Sequence, residues 1–212
     1  MLKKSMETRS LSELLEDIKA YLKDEKISFG ALLEAFHERG FGFFLFLFAL
    51  PAALPVPAIG INAIIALPLL LLTAQQAIGR HTIWVPEKFK AKEIQSSKVN
   101  SFIEKSQPWV QKLEILTKPR LEFITQGLCS NIIGVSGFLM ALAVSIPLPL
   151  TNTVPSFGIA VMAIGVLMRD GLAVLVGMVI GALWIALLLS FVLIYGPEGF
   201  DLIKEFIKGL LP

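Results

Sequence analysis

The sequence predicts an all-α integral membrane protein: two related broken (re-entrant) helical hairpins, one long C-terminal transmembrane helix, and amphipathic surface helices. Three observations predict it. The 212 residues are 55% hydrophobic with a mean hydropathy of +0.72 and only 17% charged, far from the profile of an ordinary water-soluble domain. The apolar residues fall in three blocks, two of them interrupted by proline and glycine. The interrupted blocks also resemble each other: PAIGINA from Pro57 to Ala63 matches PSFGIAV from Pro155 to Val161, with a Pro-x-Pro ending at Pro57 in the first and at Pro149, shortly before the match, in the second.

Residues 1–40 form the first segment. Leu11, Leu14, Leu15, Ile18, Tyr21 and Leu22 recur at helical spacing, and Ser10 with Glu13 makes a capping-box pattern. A second amphipathic helix is expected from Ser28 through Arg39, stopped by Gly40. Both helices suit the membrane surface. With alternating charges and no continuous apolar core, this segment does not read as a cleavable signal peptide.

Residues 41–79 are the first broken repeat. Pro51, Pro55, Pro57 and Gly60 divide an almost uncharged run into Gly42 to Leu50 and Ile61 to Ile78. At ~1.5 Å per residue the first piece covers less than half of a hydrocarbon core ~30 Å thick, so it fits a half-helix that turns back inside the membrane. Residues 80–127 are a polar connector, with helical patches at Val85 to Ile103 and Trp109 to Ile124. It carries nine basic residues against five acids, which places it in the cytoplasm together with the N-terminal segment. Residues 128–196 hold the second broken repeat, interrupted at Pro147, Pro149, Pro155 and Gly158, and an unbroken run from Leu172 to Tyr195 in which Gly177-x-x-x-Gly181 offers a packing seam. Residues 197–212 are an amphipathic tail.

Several function classes drop out. A formal net charge of +2 with no aromatic-basic stripe argues against nucleic-acid binding. The lone Cys129 makes no disulfide framework. His37 and His81 have no ligand-spaced Cys or carboxylate beside them, so neither metal nor cofactor is expected. Nucleophile elbows, phosphate loops and membrane-depth carboxylates are absent from the sequence, and the expectation is a protein that is not an enzyme.

The residues left for binding are polar groups beside the breaks and charges at the ends of apolar runs. Asn62 and Asn152 can satisfy freed backbone groups or contact a ligand, and Gln75 and Gln76 can bond across helices or line a path. Arg39, Arg80 and the Arg169–Asp170 pair stand where a guanidinium grips a lipid phosphate or anchors a helix end.

Three stretches, ERGFGFFLFLFALPAALPVP, ALPLLLLTAQQAIGRHTIWVP and IGVLMRDGLAVLVG, follow in an order that resembles the ExoD family of bacterial exopolysaccharide-synthesis membrane proteins, from Gly30 to Ser190. The resemblance implies a multi-pass protein of the bacterial inner membrane tied to exopolysaccharide production, with no catalytic residues to carry over. One departure is His81-Thr82 after Gly79-Arg80, where the family is often more basic. Two functions stay open on this reading: binding or moving an anionic lipid such as a polyprenyl phosphate, or assembly and regulation within a polysaccharide machine. The expected partners are membrane lipids, polysaccharide-synthesis proteins and further copies of the chain.

Overall fold

A computed structural model describes residues 10–22, 25–36, 39–54, 62–146 and 152–196, together with Leu202 and Gly209. The breaks at Pro55, Pro57, Gly60, Pro147 and Pro149, and nearly all of the tail, lie outside the described residues. Among the described residues the chain runs α1 (Leu11–Tyr21), β1 (Lys26–Ser28), α2 (Phe29–Phe36), α3 (Arg39–Ala53), α4 (Asn62–Ala77), α5 (Glu87–Lys90), β2 (Glu93–Gln95), α6 (Ser96–Leu116), a 3-10 turn (Glu122–Thr125), α7 (Gly127–Ser145), α8 (Thr153–Met168) and α9 (Gly171–Tyr195).

Helix α1 starts where the capping box predicts, with Ser10 and Glu13 each accepting from the other's backbone N–H. Its apolar stripe is not turned to a membrane surface, as the sequence suggested. Leu11, Leu14, Leu15 and Ile18 are buried in one cluster with Val99, Ile103 and Val110 of α6. Polar contacts set the pair antiparallel: Ser12 to Glu114, Gln107 to Glu16, and Lys19 to Glu104. A short antiparallel ladder, Lys26 opposite Gln95 and Ser28 opposite Glu93, clips the two segments together, a β element the all-α expectation did not contain.

The prolines interrupt less than expected. Helix α3 continues through Pro51 to Ala53, α4 contains Pro68, and Pro155 and Gly158 lie within α8. Pro155 is tolerated because it sits in the first turn, where backbone N–H groups have no intrahelical acceptor. The first break therefore falls after Ala53, and Gly40, expected to end a helix, lies inside α3. Likewise α6 is one helix through Pro108 rather than two patches.

The bundle places α3 along α8, α4 along α7, and α9 along α8. Its core holds Leu45, Leu69, Met140, Ile159 and Met162, none exposed. Helices come close through glycine: a Cβ on Gly134 of α7 would overlap the backbone nitrogen of Ala77, and one on Gly177 of α9 would stand 2.6 Å from the Gly158 carbonyl oxygen. The Gly177 seam was legible in the sequence.

Among the described residues two helices, α7 and α9, are long and apolar enough to cross a membrane. The apolar window of α9 is only 17% buried within the fold, so most of its side chains face outward, and water is a poor solvent for that surface. Helices α3, α4 and α8, with 15, 16 and 16 residues, are shorter. At ~1.5 Å per residue none reaches the ~30 Å of a bilayer core unaided.

Candidate functional site

The antiparallel packing of α3 on α8 brings the first residue of one beside the last turn of the other. There Arg39 and Arg169 line a cavity of about 230 Å³ together with Ser10, Glu114, Thr117 and Glu122. Sequence reasoning named both arginines separately; the fold puts them in one place, at the polar end of the bundle and outside the two long spans.

Each wall has a local cause. Arg39 is 7% exposed, the opening residue of α3. Arg169 ends α8 in the left-handed region at φ 57°, and the next residue, Asp170, caps α9 by accepting from Leu172 N and Ala173 N. Asp170 Oδ2 also accepts from Lys118 N at 3.3 Å, and Gly171 N donates to the Arg120 carbonyl at 2.7 Å, so the connector is tied to this turn. Asp170 is thus a structural acceptor beside the cavity.

The cavity lining carries two arginines and two glutamates, Glu114 and Glu122. Burial, and then the like charge of Arg169, push the Arg39 guanidinium down to about 10, against the opposing pull of Glu122, Glu114 and Glu13. The carboxylates do not offset the desolvation and repulsion. Glu114 is already engaged, accepting from Ser12 N and Ser12 Oγ at 2.8 Å each. Arg169 Nη1 is buried and meets no hydrogen-bond acceptor among the described residues. A compact anion with several acceptor oxygens matches this arrangement, because guanidinium forks bind phosphate oxygens in pairs.

The other predicted site residues do not join it. Asn152 is buried and donates to the Ala52 carbonyl at the far end of α3, ~20 Å from Arg39 along the helix axis. Gln76, 1% exposed, donates to Ser130 Oγ across the α4–α7 contact, and Gln75 accepts from Trp84 N. Arg80 lines a separate recess of about 90 Å³ with Glu34, Thr82, Trp84 and Lys90. Asn62 opens α4, and its side chain lies outside what the structure describes. Sequence reasoning missed Ser10, Glu114 and Glu122 as cavity residues; an acid on the α6 face toward α1 was the available signal for Glu114.

The family described as "Exopolysaccharide synthesis, ExoD" matches residues 11–190, so the match includes α1 as well as the region from Gly30. An uncharacterized protein of Synechocystis sp. is 29% identical over 205 residues, covering 93% of this chain and 96% of that protein. Protein ExoD of Rhizobium meliloti is 29% identical over 171 residues, covering 78% of this chain and 70% of its own length. No solved structure matches.

Proposed function

Because the chain belongs to the ExoD exopolysaccharide-synthesis family, we propose that it is a multi-pass inner-membrane protein that binds the phosphate head group of an anionic lipid, such as a polyprenyl-phosphate carrier, in the Arg39–Arg169 cavity. It acts by binding, without covalent chemistry. In this reading the pairs α3–α4 and α7–α8 are the two related repeats, held together where Asn152 meets the Ala52 carbonyl. One observation carries the reading: two arginines share one partly open cavity, and Arg169 Nη1 is buried with no acceptor among the described residues.

Binding is favoured over translocation. The core between the two ends is mostly apolar, with Leu45, Leu69 and Met162 fully buried; of its few buried polar groups Thr73 donates to the Leu69 carbonyl, Gln76 and Asn152 bond between helices, and Ser156 Oγ has no partner among the described residues. That arrangement also suits the second reading, a non-transporting assembly subunit that presents a lipid to polysaccharide-synthesis proteins.

The test is binding of polyprenyl phosphate and of the uncharged polyprenol to the purified protein in nanodiscs, followed by native mass spectrometry. The phosphate should bind tighter, and Arg39→Gln and Arg169→Gln should each remove the difference. Equal retention of phosphate and alcohol by the unmodified protein would sink the proposal.

A further inference from the structure

Helix α6 has two faces, and the fold uses only one. Val99, Ile103 and Val110 are buried against α1, whereas Phe102, Trp109 and Leu116 are 51%, 69% and 76% exposed. These three are spaced seven residues apart, and seven residues return within about 20° of the same side of a helix, so they form a single stripe. Lys98, Lys105 and Lys112 lie four residues before each in turn and are also exposed, forming a second stripe alongside. Lys112 Nζ stands 5.1 Å from the centre of the Trp109 ring.

The acids of α6 face elsewhere. Glu104 pairs with Lys19 of α1 at 3.2 Å, and Glu114 holds the start of α1 through Ser12. Charge along the two stripes is therefore all positive, with the exposed Glu104 off to the side. At one end of the stripe Phe102 meets Phe43 of the apolar helix α3 edge-on, with ring centres 6.0 Å apart. Beyond the other end the chain enters the span α7, where Leu128 is 83% exposed. The stripe is thus joined to apolar bundle surface at its Phe102 end.

We infer that the Phe102–Trp109–Leu116 face of α6 lies in the interface of an anionic phospholipid leaflet, with Lys98, Lys105 and Lys112 at the level of its phosphates. Aromatic rings with one polar edge settle at the head-group level, and the lysine stems reach past them to the charge. Each such lysine favours an anionic surface by about fivefold in partitioning.

The inference rests on the bundle being in the membrane, and tryptophan supplies a test that separates the two. The full chain with Trp84→Phe and Trp184→Phe keeps only Trp109; with Trp84→Phe and Trp109→Phe it keeps only Trp184, within α9. Both are reconstituted into vesicles of phosphatidylcholine with phosphatidylglycerol, and into phosphatidylcholine alone, containing lipids brominated near the head group or deep in the chain. Trp184 should be quenched by bromolipid in every vesicle; its failure would refute the membrane placement itself. Trp109 should be quenched by shallow bromolipid and shielded from iodide in the anionic vesicles. Lys98→Gln with Lys105→Gln and Lys112→Gln, all at exposed positions, should restore iodide access several-fold, as should high salt. With Trp184 quenched, open iodide access to Trp109 overturns the inference. Shielding from both quenchers overturns it too, by showing a protein on this face, and an unchanged triple variant overturns the role of charge.

Discussion

Asn152 Nδ2 donates to the carbonyl oxygen of Ala52 at 3.3 Å, tying the end of α3 to the start of α8 across 100 residues of chain. Ala52 carries one of the last carbonyls of its helix, which have no partner within it. Asn152→Ala should leave that carbonyl without its donor and cost about 1–3 kcal/mol. Asn152→Asp should cost at least as much, since an ionised carboxylate offers no donor and repels the oxygen. Thermal unfolding of the purified chain in detergent measures both; an unchanged midpoint in each variant would show the contact to be dispensable.

The approach of α7 to α4 at Gly134 leaves no room for a methyl group against the Ala77 backbone. Gly134→Ala should destabilise the fold by about 1–3 kcal/mol through helix separation, even though alanine is the better helix former. Unfolding by mild denaturant checks this, with the opposite sign expected if propensity prevailed.

Arg169 offers a separation of binding from stability. Its left-handed backbone suits glycine, so Arg169→Gly should stabilise the turn by about 1 kcal/mol while abolishing preference for a phosphate head group. Arg169→Lys retains the charge and loses the planar fork, so it should weaken phosphate binding partially at unchanged protein level. Unaltered phosphate preference in the glycine variant would reduce Arg169 to a turn residue.

Two parts of this site differed in how readable they were. Arg39 and Arg169 stand at the ends of apolar runs, a charge pattern visible without any fold. Their meeting was not visible, because it depends on α3 lying antiparallel to α8. Glu114 was hidden for a related reason: Pro108 deletes only one hydrogen bond, to the carbonyl of the exposed Glu104, so a stretch read as two helical patches, to Ile103 and from Trp109, is one helix whose register against α1 brings Glu114 to the cavity. The same logic carries α3 through Pro51, whose lost partner belongs to the half-exposed Leu47. The β1–β2 clip escaped because KIS and EIQ are too short to show alternation. By contrast the capping box at Ser10 and the Gly177 seam are local patterns and were legible.

The acid–base behaviour of Arg39 sets a pH window. Its folded value is lowered to about 10, below that of an ordinary arginine, so the protein without ligand gains stability as pH rises above about 10, where the buried charge is shed. Anion binding has the opposite sign and should fall above about 10 for the same reason. Below that, the dependence belongs to the ligand: a phosphate monoester gains its second charge near pH ~6, so affinity should rise there and stay level to about 9. Titration calorimetry with a short-chain lipid phosphate would reveal the plateau; a decline between about 7 and 9 would contradict the assigned charge state.

The antiparallel pairing of α1 with α6 has a temporal consequence. A chain made from its N-terminus exposes Leu11, Leu14, Leu15 and Ile18 long before Val99, Ile103 and Val110 exist, and between the two events α3 and α4 are synthesised. At roughly 5–20 residues per second, the greasy side of α1 waits on the order of several seconds for its cover. A nascent chain halted before Ser96 should therefore be far more protease-sensitive at α1 than one halted after Leu116.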